Sequence, residues 1–488
     1  TRRRNGTAMN AGPSFYFHDY ETFGTDPARD RPAQFAGQRT NDKLEPIGEP
    51  LVLHCSPADD MLPQPGACRI TGITPQMARA EGIRECDFIE QINDELSLAM
   101  TCGVGYNNFR FDDEVTRNLL YRNLMDPYRR EWANGNSRFD LIDLVRMTYA
   151  LRPGGIQWPT RDDGTPSFRL EDLTAANGIE HGEAHDALGD VQATIALAQL
   201  VAKAQPQLWR WGLRLRNKKE TARLLRPLEP VLHTSARFPA SRGCTSIVLP
   251  LGQHPRFSNQ VVVYDLAVPP EPFMEMGLDE LEDRLYTPNA DLPEGEQRVP
   301  LKTIKTNRAP MLAPLGTLKG ADKSRIEINP MVCMDHARTL EAAPQAVERF
   351  RNLVGQHEFE ERHDPDLLLY GGFLPDSDRE TLQNLRAATP ECWPDPLPRV
   401  HDRRLPELLF RFRARNFPDT LSAEEAERWD RFRWRRLTDP DGGGSITLDE
   451  YEQTLAALEA EGRGDALVDQ LRAWPQEIEV PRLKQQYG

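Results

Sequence analysis

The pattern of apolar and polar residues divides the first part of the chain into strands and helices. Short apolar, β-branched runs are typical of strands, whereas apolar residues that recur every three or four positions are typical of helices. The strand pattern occupies residues 14–23, 49–55 and 101–107, and the helix pattern occupies residues 113–124 and 186–204. Because strands and helices alternate, this part of the sequence predicts an α/β domain over residues 14–204.

The rest of the chain shows two further patterns. Short β-branched runs bounded by Pro, Gly and Asn, such as "TSIVLPLGQHP" and "NQVVVYDLAVPPEP", predict a smaller β-rich domain over residues 206–355. In residues 357–488 the apolar positions follow helical spacing, as in "LPELLFRFRARNF" and "LDEYEQTLAALEAEG". Three domains also agree with a length of 488 residues, at roughly 150 residues per domain.

Composition favours a soluble protein of a reducing compartment. Hydrophobic residues make up 39% of the chain, the mean hydropathy is -0.61, and no apolar run approaches the roughly 18 to 20 residues that cross a bilayer. The initial "TRRRNGTAMN" lacks an apolar segment, so we expect no signal peptide and consider Met9 a candidate start. The seven scattered cysteines include no C-x-x-C pair, which argues against disulfides and a zinc site. We therefore expect a cytoplasmic protein that does not bind membranes.

The charge of the chain is unevenly distributed. A net charge of -15 argues against nucleic-acid binding, since phosphate contacts need clustered Lys and Arg. Residues 205–230, however, carry seven basic and two acidic side chains with Trp209 and Trp211 between them, and residues 403–436 carry ten arginines and six acids. Each zone is either a basic surface for nucleic acid or a solvated helix face.

Two acids, Asp19 and Glu21, lie at the end of an apolar strand in "SFYFHDYETFG". Side chains alternate between the two faces of a strand, so these carboxylates share one face and Tyr20 points to the other. Two carboxylates on one face repel each other unless a cation lies between them, and Mg²⁺ is held by such oxygen ligands. Two exposed acids at a strand end are the alternative.

Further acids occur at the ends of other predicted elements. In "GYNNFRFDDEVTRN", Asp112 and Asp113 begin a helix, where one acid can cap the N-terminus and the other can face a site. We assign Asp112 to the site because Val115 and Leu119 mark the opposite, core-facing side of the helix.

The segment "EAHDALGDVQATIALAQLVAK" adds a histidine and a further acid. If Asp186 caps the helix, His185 lies in the preceding loop and Asp190 in the first turns, so both can reach one site. A histidine titrates near neutral pH and can act as a general base, whereas four carboxylates can hold two metal ions. A solvated histidine before a helix is the alternative.

These residues resemble the three motifs of the DEDDh (DnaQ-like) 3'→5' exonucleases: Asp19-x-Glu21, "NNFRFDD" with Asp112, and His185-x4-Asp190. Longer segments, including "FHDYETFGTDPARDRPAQFAGQRT", "PSFRLEDLTAANGIEHGEAHDALGDV" and "LLFRFRARNFP", are similar to the bacterial exodeoxyribonuclease I family. The last segment lies far outside the predicted α/β domain, so the resemblance covers nearly the whole chain. It is weak in residues 439–488.

The resemblance implies a ribonuclease H-like exonuclease domain, an SH3-like β-rich domain and a helical C-terminal domain that together enclose single-stranded DNA. It implies hydrolysis of that DNA in the 3'→5' direction to 5'-mononucleotides, in DNA repair and recombination. Asp19, Glu21, Asp112 and Asp190 would hold two Mg²⁺ ions, for which Mn²⁺ is a possible substitute, and His185 would be the general base. The implied protein partner is a single-strand-binding protein, and we expect a monomer.

An exonuclease that advances along a strand also needs phosphate contacts and stacking surfaces that do not depend on sequence. The residues predicted to contact the DNA are Glu21, Arg117, Arg146, Arg169, Tyr128, Trp132 and Phe168 near the 3' end, and Arg214, Arg216, Lys218 and Lys219 on the approach. For an arginine the alternative is a salt bridge, and for an aromatic residue it is a place in the core.

Residues 439–450, "DPDGGGSITLDE", imitate an EF-hand calcium loop, with Gly444 at position 6 and Glu450 at position 12. Gly443 at position 5 removes one ligand, so a glycine-rich turn before a helix is the alternative.

Two other functions remain open. A DEDDh exoribonuclease or proofreading-type exonuclease would need only the first 205 residues, and the long basic, aromatic-bearing remainder argues against it. A non-catalytic nucleic-acid-binding protein is disfavoured because all five motif positions are filled.

Overall fold

The structure is a computed structural model that describes residues 12–180, 182, 186–288, 291–323, 326–355 and 362–488. The chain forms two compact units. One unit contains Thr1–Ser137, Gly182–Gln192 and Glu361–Gly488, and the other contains Arg138–His181 and Ala193–Glu360. Each unit combines segments that are distant in sequence, so the two units do not correspond one to one with the three predicted domains. The ranges of those domains stay predictions.

The described residues form strands and helices throughout both units. The strands are β1 (Ser14–Thr22), β2 (Pro32–Thr40), β3 (Leu51–His54), β4 (Thr101–Gly105), β5 (Ser137–Asp140), β6 (Val231–Thr234), β7 (Thr245–Gln253), β8 (Gln260–Asp265), β9 (Leu301–Lys305) and β10 (Met311–Ala313). The helices before the second sheet are α1 (Pro65–Thr71), α2 (Pro75–Glu81), α3 (Glu85–Leu96), α4 (Asp112–Arg122), α5 (Leu141–Leu151), α6 (Leu170–Ala176), α7 (Ala187–Ala204), α8 (Pro206–Arg214) and α9 (Lys218–Leu224). The later helices are α10 (Glu271–Met274), α11 (Leu278–Tyr286), α12 (Pro330–Glu341), α13 (Pro344–Leu353), α14 (Asp376–Arg386), α15 (Leu405–Asn416), α16 (Ala423–Thr438), α17 (Leu448–Ala460), α18 (Ala466–Glu477) and α19 (Val480–Tyr487).

The first sheet has the strand order β3-β2-β1-β4-β5. β1 pairs with β2 in antiparallel and with β4 in parallel orientation, and most of its residues are buried. β2 was not predicted from the sequence because Pro32, Gly37 and several polar residues interrupt its pattern. Gly37 leaves room for the buried Tyr16 side chain, whose hydroxyl and ring lie where a Cβ would stand.

The core of the first unit joins the beginning and the end of the chain. α3 and α4 cover the sheet with Phe88, Ile89 and Leu119, which pack around Tyr20 and Phe35. Among the later helices, α14 and α15 pack against residues of α3 and α4, while α17, α18 and α19 surround Trp474 together with residues from the region of α1 and α2. The C-terminal helices therefore share hydrophobic cores with α1 to α4, in the first third of the chain.

The second unit contains an antiparallel sheet of order β10-β6-β7-β8-β9. The two quoted β-branched segments form β7 and β8, as predicted, and Val248, Val263 and Leu312 are buried between the strands. The same region also contains the helices α8 to α13, which the strand pattern did not predict.

The arginine-rich zone at 403–436 is largely neutralised inside the first unit, so it is neither the basic surface for nucleic acid nor the solvated helix face that the sequence offered as alternatives. The side chains of Arg415 and Arg436 are 3% and 2% exposed and lie beside the buried carboxylates of Asp60 and Asp366. Arg411 contacts the same Asp366 at 2.9 Å. These arginines face the core because α15 and α16 each bury one side against the rest of the unit.

The loop resembling a calcium site has a structural explanation. The Thr447 hydroxyl accepts a hydrogen bond from the Glu450 backbone N–H at 3.3 Å, and Glu450 Oε2 accepts one from the Thr447 N–H at 2.8 Å. This capping box begins α17 and uses the carboxylate that would have been the last calcium ligand. The structure thus favours a glycine-rich turn. Separately, within the described residues no helix has both the length and the apolar character to cross a membrane.

Candidate active site

β1 brings the first two predicted acids to one face, with Tyr20 on the other. Tyr20 is 4% exposed and its ring packs edge-on against Phe35, 4.8 Å between centroids. Asp19 is half-buried and Glu21 is 8% exposed, so both carboxylates lie in a largely desolvated place. The alternation of strand side chains explains both positions.

Tyr20 also fixes the third acid. Parallel pairing between β1 and β4 extends only to Phe17 opposite Val104, so β1 continues beyond its neighbour and meets the first turn of α4. The Tyr20 backbone N–H donates to Asp112 Oδ1 at 3.1 Å. The hydroxyls of Tyr20 and Thr116 lie 3.0 Å apart, and Thr116 donates to the Asp112 carbonyl at 2.8 Å. Asp112 is consequently held next to Asp19.

The neighbouring acid, Asp113, has a different environment. Its carboxylate pairs with Arg130 at 2.8 Å, and both side chains are 1% exposed. The two acids of "FDD" therefore separate into one that faces Asp19 and one that faces an arginine, in agreement with the choice of Asp112 made from the sequence.

The start of α7 supplies the fourth acid. Asp186 precedes the helix, its Oδ2 accepts from the Gly189 N–H at 3.3 Å, and its carbonyl accepts from the Asp190 N–H at 3.0 Å. Gln34 Oε1 on β2 accepts from the Ala187 N–H at 3.2 Å and ties the start of the helix to the sheet. Asp190 thus lies in the first turn of α7, as predicted. His185 lies outside the described residues.

The geometry of the carboxylates fits a divalent cation. Oxygen atoms of Asp19, Glu21 and Asp190 lie within 4.8 Å of one another. Burial raises the pKa of Asp19 well above its ordinary value, and the carboxylates of Asp112, Glu21 and Asp190 raise it further. Burial, followed by the charges of Asp190 and Asp112, raises the pKa of Glu21 to about 8. Such mutual repulsion is relieved when a hard cation binds the oxygens.

Arg117 is placed in the interior, which corrects its prediction as a phosphate contact. Its Nε and one terminal nitrogen donate to the two oxygens of Glu131 at 2.7 and 2.9 Å, and the other terminal nitrogen donates to Glu114 at 2.9 Å. Its side chain is 6% exposed. Arg117 is therefore an interior residue that pairs with two glutamates.

The two aromatic candidates of the same unit differ in exposure. Trp132 is 66% exposed and is available to stack on a base. Tyr128 is half-buried and its ring meets that of Phe373 edge-on, with 5.7 Å between centroids. Both geometries are compatible with the predicted stacking role.

Phe373 and Tyr370 are aromatic residues that were not predicted from the sequence to contact DNA. They are 80% and 62% exposed, although residues of this size usually lie in the core. Their signal in the sequence was "YGGF", two aromatic residues around a pair of glycines. Phe373 adds an exposed ring beside the half-buried Tyr128.

The candidates in the second unit are also of two kinds. Phe168 is 5% exposed and packs edge-on against Tyr149 at 5.5 Å, so it belongs to the core, which corrects its prediction as a stacking surface. Arg146 is mostly buried and pairs with Asp143 at 2.7 Å. Arg169, Lys218 and Lys219 are exposed, and Arg214 is exposed and pairs with Glu220 at 2.9 Å.

Models of known protein families match parts of all three regions into which the sequence was divided. A family model described as "Exonuclease" matches residues 16–198, one described as "Exonuclease I SH3-like domain" matches 216–356, and one described as "Exonuclease I C-terminal domain" matches 363–478. These matches confirm the predicted fold class.

Relatives and solved structures agree with the family models. Exodeoxyribonuclease I of Escherichia coli K12 is 48% identical over 427 residues, which are 86% of this chain and 90% of that protein. A solved exonuclease I of Methylocaldum szegediense is 50% identical with a TM-score of 0.91, and E. coli exonuclease I in complex with a dA16 oligonucleotide is 45% identical with a TM-score of 0.92. Each covers 96% of this chain and 100% of the solved chain.

Two further structures of this group include other molecules. One is a zinc-bound E. coli exonuclease I complex with single-stranded DNA, at 44% identity and a TM-score of 0.90, covering 96% of this chain and 100% of that one. The other is described as SSB and exonuclease I with an inhibitor, at 44% identity and a TM-score of 0.87, covering 96% and 99%. With an acidic cluster at the meeting point of β1, α4 and α7 and with relatives matched along nearly their whole length, the chain belongs to the exonuclease I family of DnaQ-like 3'→5' exonucleases.

Proposed function

We propose that the acidic cluster formed by β1, α4 and α7 is the catalytic centre with which this exonuclease hydrolyses single-stranded DNA from its 3' end. The observation that carries the proposal is the convergence of Asp19, Glu21 and Asp190 oxygens within 4.8 Å of one another. Membership of the exonuclease I family indicates which reaction is catalysed. The convergence of the three carboxylates supports assigning that reaction to these residues.

Asp19, Glu21, Asp112 and Asp190 are the residues that would hold divalent ions, two Mg²⁺ in the cell with Mn²⁺ as a substitute. Carboxylate oxygens are the ligands that Mg²⁺ prefers, and it is usually bound by one or two of them together with substrate phosphate. When bound, the ions lower the pKa of the attacking water and stabilise the charge of the leaving oxygen.

The residues of the chain then orient the reactants and move one proton. His185 accepts the proton of the attacking water while the water oxygen bonds to phosphorus. The bond between phosphorus and the 3'-oxygen of the preceding nucleotide breaks, and that oxygen takes a proton from solvent water to become the new 3'-hydroxyl. The products are a 5'-mononucleotide and a strand that is one nucleotide shorter. We also propose that Glu21 contacts the terminal nucleotide.

Exposed aromatic and basic side chains would hold the strand. Trp132 and Phe373 offer rings for stacking on bases, a contact that tolerates any sequence. Arg169 and Lys218 offer exposed charges for phosphate groups. Arg146 and Arg214 remain candidates for the same role once their pairs with Asp143 and Glu220 open.

A single-strand-binding protein is the partner that we propose, because one relative has been solved together with SSB. Action on single-stranded DNA beside such a protein suits a role in DNA repair and recombination in the cytoplasm. We propose a monomer as the active form.

The proposed site is tested with 5'-labelled single-stranded DNA, duplex DNA and RNA of one sequence, in Mg²⁺ and in EDTA. We expect stepwise shortening of the labelled strand for single-stranded DNA alone, dependent on the metal and abolished in Asp19→Asn. Asp42→Asn, an exposed acid in a loop, is the matched control and keeps full activity. Activity of Asp19→Asn at the level of the control would refute the site, and a preference for RNA would favour an exoribonuclease.

A further inference from the structure

α4 is attached to the 3₁₀ turn Arg129–Glu131 by two ion pairs of opposite polarity. Asp113 on the helix pairs with Arg130 on the turn at 2.8 Å. Arg117, one helical turn later, pairs with Glu131 at 2.7 Å. The exposed fractions of these four side chains lie between 1% and 8%. The helix and the turn therefore each contribute one acidic and one basic side chain to the contact.

Two such pairs restrain the helix in a way that a single contact does not. Residues four apart lie on the same side of an α-helix, so Asp113 and Arg117 together fix both its rotation and its shift along the axis. Asp112 lies about 100° further round the helix than Asp113. The pair between Arg130 and Asp113 thus determines where the Asp112 carboxylate points.

The turn is itself attached to the sheet that carries the acids. The Asn136 side-chain amide donates to the carbonyls of Arg130 at 3.3 Å and of Leu96 at 3.2 Å. The Asn136 side-chain oxygen accepts from the N–H of Thr101, the first residue of β4, at 3.1 Å. Arg130 therefore holds the helix relative to the strand beside β1, and the Tyr20 N–H holds Asp112 from the other side.

Stability alone gives a weak reason for this pair. Desolvating two charges costs about as much as their attraction returns, and apolar replacements of buried pairs are often neutral. A buried pair does, however, fix geometry, because its hydrogen bond has a narrow range of favourable distances and angles.

We propose that Arg130 is a positioning residue of the catalytic centre. Through Asp113 it sets the rotation of α4 and so places the Asp112 carboxylate beside Asp19. The proposal rests on the proposed function, in which Asp112 is a metal ligand. Arg130 itself does not touch the metal or the DNA.

The test measures Mn²⁺ binding to the full-length, DNA-free protein by electron paramagnetic resonance. We expect Arg130→Met to weaken Mn²⁺ binding by at least about tenfold, the usual effect of removing a group that orients a metal ligand. Arg130→Lys, which keeps the charge, recovers part of the affinity. Arg129→Met is the matched control, since Arg129 is exposed on the same turn, and its Mn²⁺ affinity equals that of the unmodified protein.

Two further variants separate positioning from stability. In the double variant Asp113→Asn with Arg130→Met neither charge is left unpaired, so we expect it to melt near the unmodified protein and still bind Mn²⁺ weakly. Arg130→Met that melts at a lower temperature but binds Mn²⁺ normally while folded would overturn the proposal, as would normal binding in the double variant. Asp112→Asn tests the function itself. Normal Mn²⁺ binding in that variant would refute the proposed ligand set and not the coupling between Arg130 and Asp113.

Discussion

Tyr20 shows how one residue connects the core of this protein to its chemistry. Its side chain is buried among Phe35 and Phe88, and its backbone N–H binds the Asp112 carboxylate. Asp19 and Glu21, its two neighbours in the chain, point to the opposite face. Packing of a single aromatic ring therefore fixes three of the four acids, which explains how a site of mutually repelling carboxylates is kept in place.

The raised pKa of Glu21 predicts a pH-dependent stability of the metal-free protein. The pKa of this carboxyl is about 8 in the folded protein and 4.5 ordinarily, so the folded state binds more protons than the unfolded state between these values. The contribution of Glu21 to stability is then fully present below the lower pH and is lost as pH rises through the upper one.

Thermal unfolding in EDTA measures this contribution. We expect the melting temperature of the unmodified protein to fall relative to Glu21→Gln between about pH 5 and pH 8.5, because glutamine does not ionise. Adding Mg²⁺ should remove most of the fall, since the ion binds the charged form. A melting temperature that rises relative to the Gln variant over this range would contradict the prediction.

His185 gives a prediction on the chemical step. Replacing it with alanine removes the proposed base and is expected to lower the turnover rate by about 10²- to 10⁴-fold. Binding of single-stranded DNA should change little, because the role proposed for this side chain is to accept a proton and not to hold the strand. Single-turnover kinetics together with fluorescence anisotropy of labelled DNA measure both quantities. Equal losses of binding and turnover would assign His185 to substrate binding instead.

The individual acids were predictable from the sequence, whereas the environments of the cations were not. Asp19, Glu21, Asp112 and Asp190 stand at the ends of predicted elements, where the chain direction already limits what they can face. Arg117 looked like a surface cation, but its partners Glu131 and Tyr370 come from distant positions that no local pattern connects to it. Tertiary contacts decide whether an arginine is buried.

At the scale of elements, the positions of the helices were predicted correctly, whereas the direction in which their charged side chains point was not. The apolar spacing of α15 and α16 predicted both helices, and both exist. The spacing did not reveal that their arginines face inward onto Asp60 and Asp366. β2 was also not predicted. Gln34 and Gln38 are polar but buried, so the sequence lacks the apolar run that is expected of a strand covered on both faces.

The inward-facing arginines give a prediction on stability. Asp366 is 3% exposed and accepts hydrogen bonds from Arg411 at 2.9 Å and from Arg415 at 2.6 and 3.1 Å. Although burial opposes it, the charges of Arg415 and Arg411 hold the pKa of Asp366 well below its usual range. Asp366→Asn removes the negative charge shared by Arg411 and Arg415, which keep Asp364 and Asp60 as partners, and we expect a loss of about 1.5 to 3 kcal/mol in the free energy of unfolding.

Denaturant unfolding measures this loss, with Glu427→Gln as the matched control. Glu427 pairs with Arg431 on the surface of α16, where both side chains are more than half exposed, and its replacement should cost less than about 1 kcal/mol. Losses of equal size in the two variants would show that burial adds nothing to the Asp366 cluster.

At the scale of the whole molecule, an acidic protein binds an acidic polymer through the local placement of its cations. The net charge is -15, and several arginines of the 403–436 zone form buried ion pairs inside the first unit. Lys218 and Lys219 at the start of α9 are exposed, and Arg214 stacks over Trp211 with 5.4 Å between guanidinium and ring centroid. In this part of the 205–230 zone, the positive charges therefore lie on the surface.

The salt dependence of DNA binding tests this placement. Each phosphate contact to a single strand contributes about 0.7 to the slope of log affinity against log salt concentration, because counterions are released. If Lys218 and Lys219 each contact a phosphate, the double alanine variant should lose about 1.4 from that slope and keep its turnover rate on saturating DNA. Lys43→Ala with Lys484→Ala removes the same charge from two other exposed positions and is the matched control. Because both double variants change the net charge equally, a difference in slope reports contacts at α9 and not the overall field. Equal slopes would place the DNA elsewhere on the protein and leave the catalytic centre as proposed.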